Sequence, residues 1–220
     1  MRRLVLLCAF FLPGFAFSQS AFEGFYGQIG AGYESVEASE KGSTYTSTGG
    51  TTSPLTRSFS DSKGFTSSIA LGYAMSFSES FVLGIGAEYY AVSSPNSSYT
   101  YTIQSVTSGT GNWKKKNSYN IFLSPGFVID KDSLAYAKIG YASAETQNNT
   151  TGSSARTVSQ NGYSLGLGYK QFIEGDLYGF AEANYFNYGD DTSTTVNNGT
   201  STTKTGGTAY NFLIGVGYRF

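Results

Sequence analysis

Large apolar residues alternate with small or polar ones along this chain at a period of two. The cleanest run is Tyr210, Phe212, Ile214, Val216, Tyr218 and Phe220, interleaved with Asn211, Leu213, Gly215, Gly217 and Arg219. The pattern recurs through Phe65, Ile69, Leu71, Tyr73 and Met75, and through Phe81, Leu83, Ile85, Ala87 and Tyr89. Further copies run through Tyr119, Ile121, Leu123, Phe127 and Ile129, through Ala135, Ala137, Ile139 and Tyr141, and through Tyr163, Leu165, Leu167 and Tyr169. Phe25, Ile29 and Tyr33 mark a weaker copy, and Leu177 to Tyr188 carries bulky residues on both faces. Each run predicts a half-buried β-strand, eight in all. No segment has helical periodicity or the continuous apolarity of a membrane helix.

The connections between these strands alternate strictly in length. Three are short, over 76–80, 130–133 and 170–176; four are long and rich in Ser, Thr, Asn and Gly, over 37–64, 91–112, 145–157 and 189–208. Short turns on one side and long loops on the other predict an all-β, eight-stranded antiparallel up-and-down transmembrane β-barrel over 19–220, with periplasmic termini and long extracellular loops. The loop composition suggests mobile segments. Pro54 and Pro95 fall in long loops, whereas Pro125 lies within a strand, where it predicts a bulge.

A soluble barrel would turn its large apolar face inward, and a membrane barrel turns it to lipid. The opposite face decides for lipid. It carries Gly84, Gly86, Gly166, Gly168, Gly215 and Gly217 together with Glu88, Lys138, Glu182 and Arg219. An eight-stranded barrel has little internal room, which accounts for the glycines. Aromatics near the strand ends, such as Phe81, Tyr89, Tyr141, Tyr163, Tyr169, Tyr185, Tyr210 and Phe220, suit two girdles at the membrane interfaces.

Residues 1–18 predict a secretory signal: Arg2 and Arg3, the apolar run Leu4–Leu12, then Ala16-Phe17-Ser18 before the cut. Cleavage after Ser20 is the alternative. Cys8, the one cysteine, falls in this segment, so no disulfide and no cysteine-rich metal site is expected. Without its two leader arginines the chain has 12 basic and 15 acidic residues, a balance that points to no nucleic-acid partner. There is no histidine, which removes imidazole bases and ligands. No cofactor is expected.

The closing run Ile214-Gly215-Val216-Gly217-Tyr218-Arg219-Phe220 resembles the last strand of small outer-membrane barrels of the OmpX/Ail type. The eight-strand layout is also similar to the transmembrane half of outer-membrane protein A. The resemblance implies that Tyr210, Phe212, Ile214, Val216, Tyr218 and Phe220 form the signal read by the outer-membrane insertion machinery. It also implies a role in membrane integrity, adhesion or evasion, with a host or environmental surface ligand. Enzymes of similar barrels typically need a histidine, so no enzyme is expected.

Two constellations carry candidate chemistry. By strand parity Glu88, Lys138 and Glu182 point into the lumen, with Arg219 near the periplasmic mouth. Buried charges must pair, so a mixed-sign cluster is expected. It would either plug the barrel or, as the likeness to outer-membrane protein A implies, form the salt-bridge gate of a narrow pore. Trp113, Lys114, Lys115 and Lys116 open the fourth strand at its extracellular end, where an aromatic and three cations suit the phosphates of lipopolysaccharide. The alternative is a solvated strand end. Asn96, Asn148, Asn149 and Asn198 head glycosylation sequons that follow from loop composition and carry little weight.

Overall fold

The computed structural model describes residues 20–104, 106–150, 155–196 and 198–220. The expected leader, 1–18, lies outside them. The strands are β1 (Gly24–Glu40), β2 (Ser43–Ser47), β3 (Thr52–Phe59), β4 (Ser62–Ser78), β5 (Phe81–Tyr90), β6 (Ser97–Ile103), β7 (Val106–Asp130), β8 (Ser133–Thr150), β9 (Arg156–Glu174), β10 (Leu177–Val196) and β11 (Gly199–Arg219). Eight of them close a ring in the order β1-β4-β5-β7-β8-β9-β10-β11, every neighbour antiparallel, with β11 returning to β1 through Tyr26 opposite Arg219. Among the described residues there is no helix.

The three short connections tighten to two-residue turns at Glu79–Ser80, Lys131–Asp132 and Gly175–Asp176. Gly175 opens its turn at φ 55°, a left-handed conformation that a hairpin of this length requires and that glycine adopts without strain. The long connections depart from expectation. β2 pairs with β11 and β3, and β3 with β6, which pairs in turn with β7. These segments are largely strands that continue the ladder beyond the ring. Their Thr and Ser hydroxyls, together with the rings of Tyr45, Tyr99 and Tyr101, belong to cross-strand pairs of the kinds that stabilise a ladder.

Pro125 also departs from expectation. The registers of β7 against β5 and against β8 run past it unshifted, so there is no bulge there. The missing N–H is absorbed by lapsed pairing with β8 at positions 124 and 125, while Leu83 on β5 still faces Pro125.

The outward face is apolar and the inward face mixed. Tyr33, Phe65, Tyr89, Tyr119, Tyr141, Tyr163, Tyr185 and Tyr210 ring the barrel at one level, with Tyr89 opposite Tyr119 and Tyr185 opposite Tyr210. Phe25, Tyr73, Phe81, Phe127, Tyr169, Tyr218 and Phe220 ring it near the short turns. Tyr119 and Phe127 are eight residues apart, so the belt between them is about 20 Å tall for a strand tilted by roughly 40°. Among the described residues no outward side chain between the girdles is charged. Strand β7 continues 13 residues above Tyr119, a further 30 Å or so by the same arithmetic.

Inside, glycines seat aromatic rings. A Cβ on Gly217 would collide with the Tyr178 ring, one on Gly168 with Tyr136, and one on Gly215 with Phe180. The glycines therefore face the lumen because bulky rings from the adjacent strand lie across them. The double bulk of Leu177–Tyr188 follows from the same arrangement: Tyr178, Phe180, Phe186 and Tyr188 are buried inside, and Leu177 and Tyr185 face outward.

Candidate functional site: the charged lumen

Mid-way along the lumen Lys138 of β8 stands opposite Gly166 of β9. Its Nζ donates to Glu88 Oε2 of β5 at 2.8 Å and to Glu182 Oε2 of β10 at 2.9 Å, and all three side chains are almost wholly buried. The ammonium also stands 4.2 Å from the centre of the Phe122 ring, in the range of a cation–π contact. Neutral donors complete the carboxylates. Tyr136 donates its hydroxyl to Glu182 Oε1 at 2.6 Å and Tyr90 to Glu88 Oε2 at 2.9 Å. Gln28 and Asn184 donate to Glu182, and Tyr178 donates to Gln28. A continuous hydrogen-bonded chain thus crosses the barrel from β5 to β10 and on to β1.

Arg219 lies apart from this cluster. It pairs with Asp176 in the β9–β10 turn, its Nε donating to Oδ1 at 2.8 Å, and it also donates to the Ala21 carbonyl. Phe22 packs on Phe172 beside it, ring centres 4.7 Å apart, and together they cover the lumen at the short-turn end. Proximity to the mouth is as expected; membership of the central cluster is not, because Arg219 finds a carboxylate and a carbonyl at the rim.

Trp113 and Lys115 require a larger correction. Each is only 2% exposed and points into the barrel, so neither can meet lipopolysaccharide on its outer wall. The Trp113 Nε1 donates to the Ser60 carbonyl at 3.2 Å, and Lys115 forms a buried ion pair with Glu34. The cause is a β-bulge between Lys115 and Ser118, where β7 spends three residue steps against two on β8. Counting back by twos from Tyr119 puts positions 113 and 115 outside; the extra residue turns them inside. Lys114, of the opposite parity, is partly exposed, as is Lys116 within the bulge.

Lys170 is a further buried cation that the sequence reading passed over. Its Nζ lies 4.0, 4.9 and 5.1 Å from the ring centres of Tyr26, Tyr178 and Tyr136, a cage of three electron-rich faces. The same alternation that placed Gly166 and Gly168 inward would have placed it, had the strand not been ended before it. Glu34 follows the inward parity of Gly30 and Gly32 in the same way. The buried charges of the described lumen are therefore Glu34, Glu88 and Glu182 against Lys115, Lys138 and Lys170, in balance. Among the described residues no acidic or thiol cluster suited to a metal occurs.

The closed ring, the girdled belt and the charged interior agree with a sequence-family match. The model of the outer membrane protein β-barrel domain matches residues 4–220. The chain belongs to that family. This outer-membrane barrel is similar in fold to OprG from Pseudomonas aeruginosa, at 12% identity and TM-score 0.63, covering 91% of this chain and 98% of that one. It is also similar to Neisserial surface protein A, at 16% identity and TM-score 0.53 over 90% and 97% of the two chains. A third likeness is the outer membrane protease OmpT from Escherichia coli, at 11% identity and TM-score 0.53 over 93% and 99%. No curated protein sequence matches the chain. These likenesses show the same barrel fold, and the family match carries the outer-membrane assignment.

Proposed function

We propose that this barrel is a sealed, non-enzymatic anchor that displays a tall β-structured crown on the cell surface for structural or interactive work. The observation that carries this reading is the hydrogen-bonded chain Tyr90–Glu88–Lys138–Glu182–Tyr136 lying across the lumen. Phe22 and Phe172 cover one end, and Trp113, Phe59 and Tyr188 crowd the other around a cavity of only about 30 Å³. Buried charges so paired and donated to hold strands in register rather than pass solute. Planar-bilayer recording tests the seal: purified barrel gives no conductance steps, and regular steps from the wild-type protein refute it.

One observation favours a second reading, a narrow salt-bridge-gated pore. Thr66, Ser68, Glu88, Ser118, Asn120 and Asn211 each present a buried polar atom with no protein partner, a polar lining suited to water. For that reading small steps should appear and should change in Glu182→Ala.

On this proposal the short turns and both chain ends face the periplasm, and the crown faces outward. A reporter Thr48→Cys, in the β2–β3 turn, labelled by an impermeant maleimide on whole cells checks the orientation; labelling only after lysis reverses it. Lys114 and Lys116 then stand about 10–16 Å along the strand above the Tyr119 girdle, the level of lipopolysaccharide phosphates. Tyr210, Phe212, Ile214, Val216, Tyr218 and Phe220 form one lipid-facing stripe, the surface the insertion machinery would read.

A further inference from the structure

The wall of the crown is not closed all round. β8 and β9 stay paired as far as Asn148 and Arg156, and β10 and β11 as far as Val196 and Thr200. The β9–β10 ladder, by contrast, stops at Gly162 and Tyr188. The upper parts of β9 and β10 are thus two strand edges that face each other across a slit. A side chain bridges it: Arg156 Nη1 donates to Thr195 Oγ1 at 2.8 Å.

Behind the slit lies a cavity of about 200 Å³, lined by Arg57, Tyr99, Arg156, Asp191, Thr195 and Thr203 among others. Hydroxyls dominate its walls, with two guanidiniums and one carboxylate. Among the described residues neither arginine forms an ion pair. The Arg57 Nε is buried with no hydrogen-bond partner, and its guanidinium lies 5.6 Å from the centre of the Tyr99 ring. A half-buried guanidinium whose Nε has no partner favours an oxyanion from outside, held by charge-assisted hydrogen bonds. Hydroxyl walls and two unpaired strand edges suit the many donors and acceptors of a sugar ring. The volume falls below the roughly 300 Å³ at which drug-sized pockets begin, which limits the occupant to about one ring.

We infer that this cleft binds the terminal residue of an acidic saccharide, its carboxylate or sulfate engaged by Arg57 and Arg156. Asp191 accepts a sugar hydroxyl and disfavours a second anionic group. The inference rests on the proposed outward orientation of the crown, but it is independent of whether the lumen conducts.

Trp113 makes the test direct. It is the single tryptophan, and it lines the small cavity immediately below together with Arg57 and Phe59. Purified barrel in detergent is titrated with glucuronic acid, glucose 6-sulfate, glucose and sodium sulfate while tryptophan emission is followed. Both acidic sugars should give a saturable change, glucose none, and inorganic sulfate a response at least tenfold weaker than glucose 6-sulfate. Arg57→Gln and Arg156→Gln should each weaken the acidic sugars tenfold or more, with the heat-modifiable gel shift of the barrel retained. No saturable change with either acidic sugar overturns the inference, as does an unaltered response when Arg57→Gln and Arg156→Gln are combined. Sulfate binding as tightly as glucose 6-sulfate overturns the saccharide assignment and leaves an oxyanion site only. Should a glutamine variant not fold, the wild-type titrations and Arg57→Lys, expected to bind with intermediate strength, decide the matter. Failure here with correct Thr48→Cys labelling removes the ligand and leaves the surface orientation standing.

Discussion

Replacing Lys138 by methionine keeps the length of the side chain and removes the one ammonium shared by Glu88 and Glu182. At contacts of 2.8 and 2.9 Å each ion pair contributes about 6 kcal/mol for an effective dielectric near 20. Against this stand the desolvation of three ions, several kcal/mol apiece, and the repulsion between the two carboxylates. The intact triad is therefore near balance, but its remnant is not. Lys138→Met leaves two buried carboxylates without a counter-charge and should destabilise the barrel by about 3–5 kcal/mol. The triple variant Glu88→Gln, Lys138→Met, Glu182→Gln removes the charges of the triad, leaves Lys170 in its cage of tyrosine rings and keeps the shapes, so it should recover to within about 2 kcal/mol of the parent. Urea unfolding of protein folded into phospholipid vesicles, followed by the gel shift and by Trp113 emission, measures both. A single variant within about 1 kcal/mol of the parent, or a triple variant no better than the single, would refute the reasoning.

Gly168→Ala should destabilise by about 1–3 kcal/mol through overpacking against Tyr136, and Gly217→Ala likewise against Tyr178; pairing Gly217→Ala with Tyr178→Leu should cost less than the sum in the same urea assay. Lys115→Met strands the buried Glu34 and should lower stability by about 3 kcal/mol while leaving lipopolysaccharide retention unchanged. Lys114→Gln with Lys116→Gln should do the reverse, lowering retention on the purified barrel with stability within about 0.5 kcal/mol. Phe22→Ala should open the short-turn mouth, seen as faster proteolysis near residue 20 and a loss of about 2 kcal/mol of packing on Phe172.

The belt was legible in the sequence because lipid imposes one rule on every strand. Tyr119, Ile121 and Leu123 face outward for the same reason as Phe212 and Ile214, and a period of two carries through wherever the ladder is regular. That rule also put Glu88, Lys138 and Glu182 on the inner wall without any knowledge of their partners. It broke where the ladder is irregular. One added residue between Lys115 and Ser118 reversed Trp113 and Lys115, and nothing in the local sequence Lys114-Lys115-Lys116-Asn117 announces it. The crown was illegible for another reason. Above the membrane neither face must be apolar, so Thr100, Thr102 and Ser201 pair as strands with a composition that reads as loop. Pro125 misled because a lapse in pairing on one side accommodates it without a change of register.

The seam between β1 and β11 joins Tyr26 to Arg219 and Glu40 to Thr205, positions almost the whole polypeptide apart. Until the segment around 205–219 is in hand, β1 keeps a row of bare amides and carbonyls, and the greasy outer stripes of the other seven strands have no bilayer-ready cylinder to belong to. Assembly of such a ring is all or nothing. A polypeptide of this kind has to be carried through water unclosed, shielded from its own kind, and zipped only at its destination.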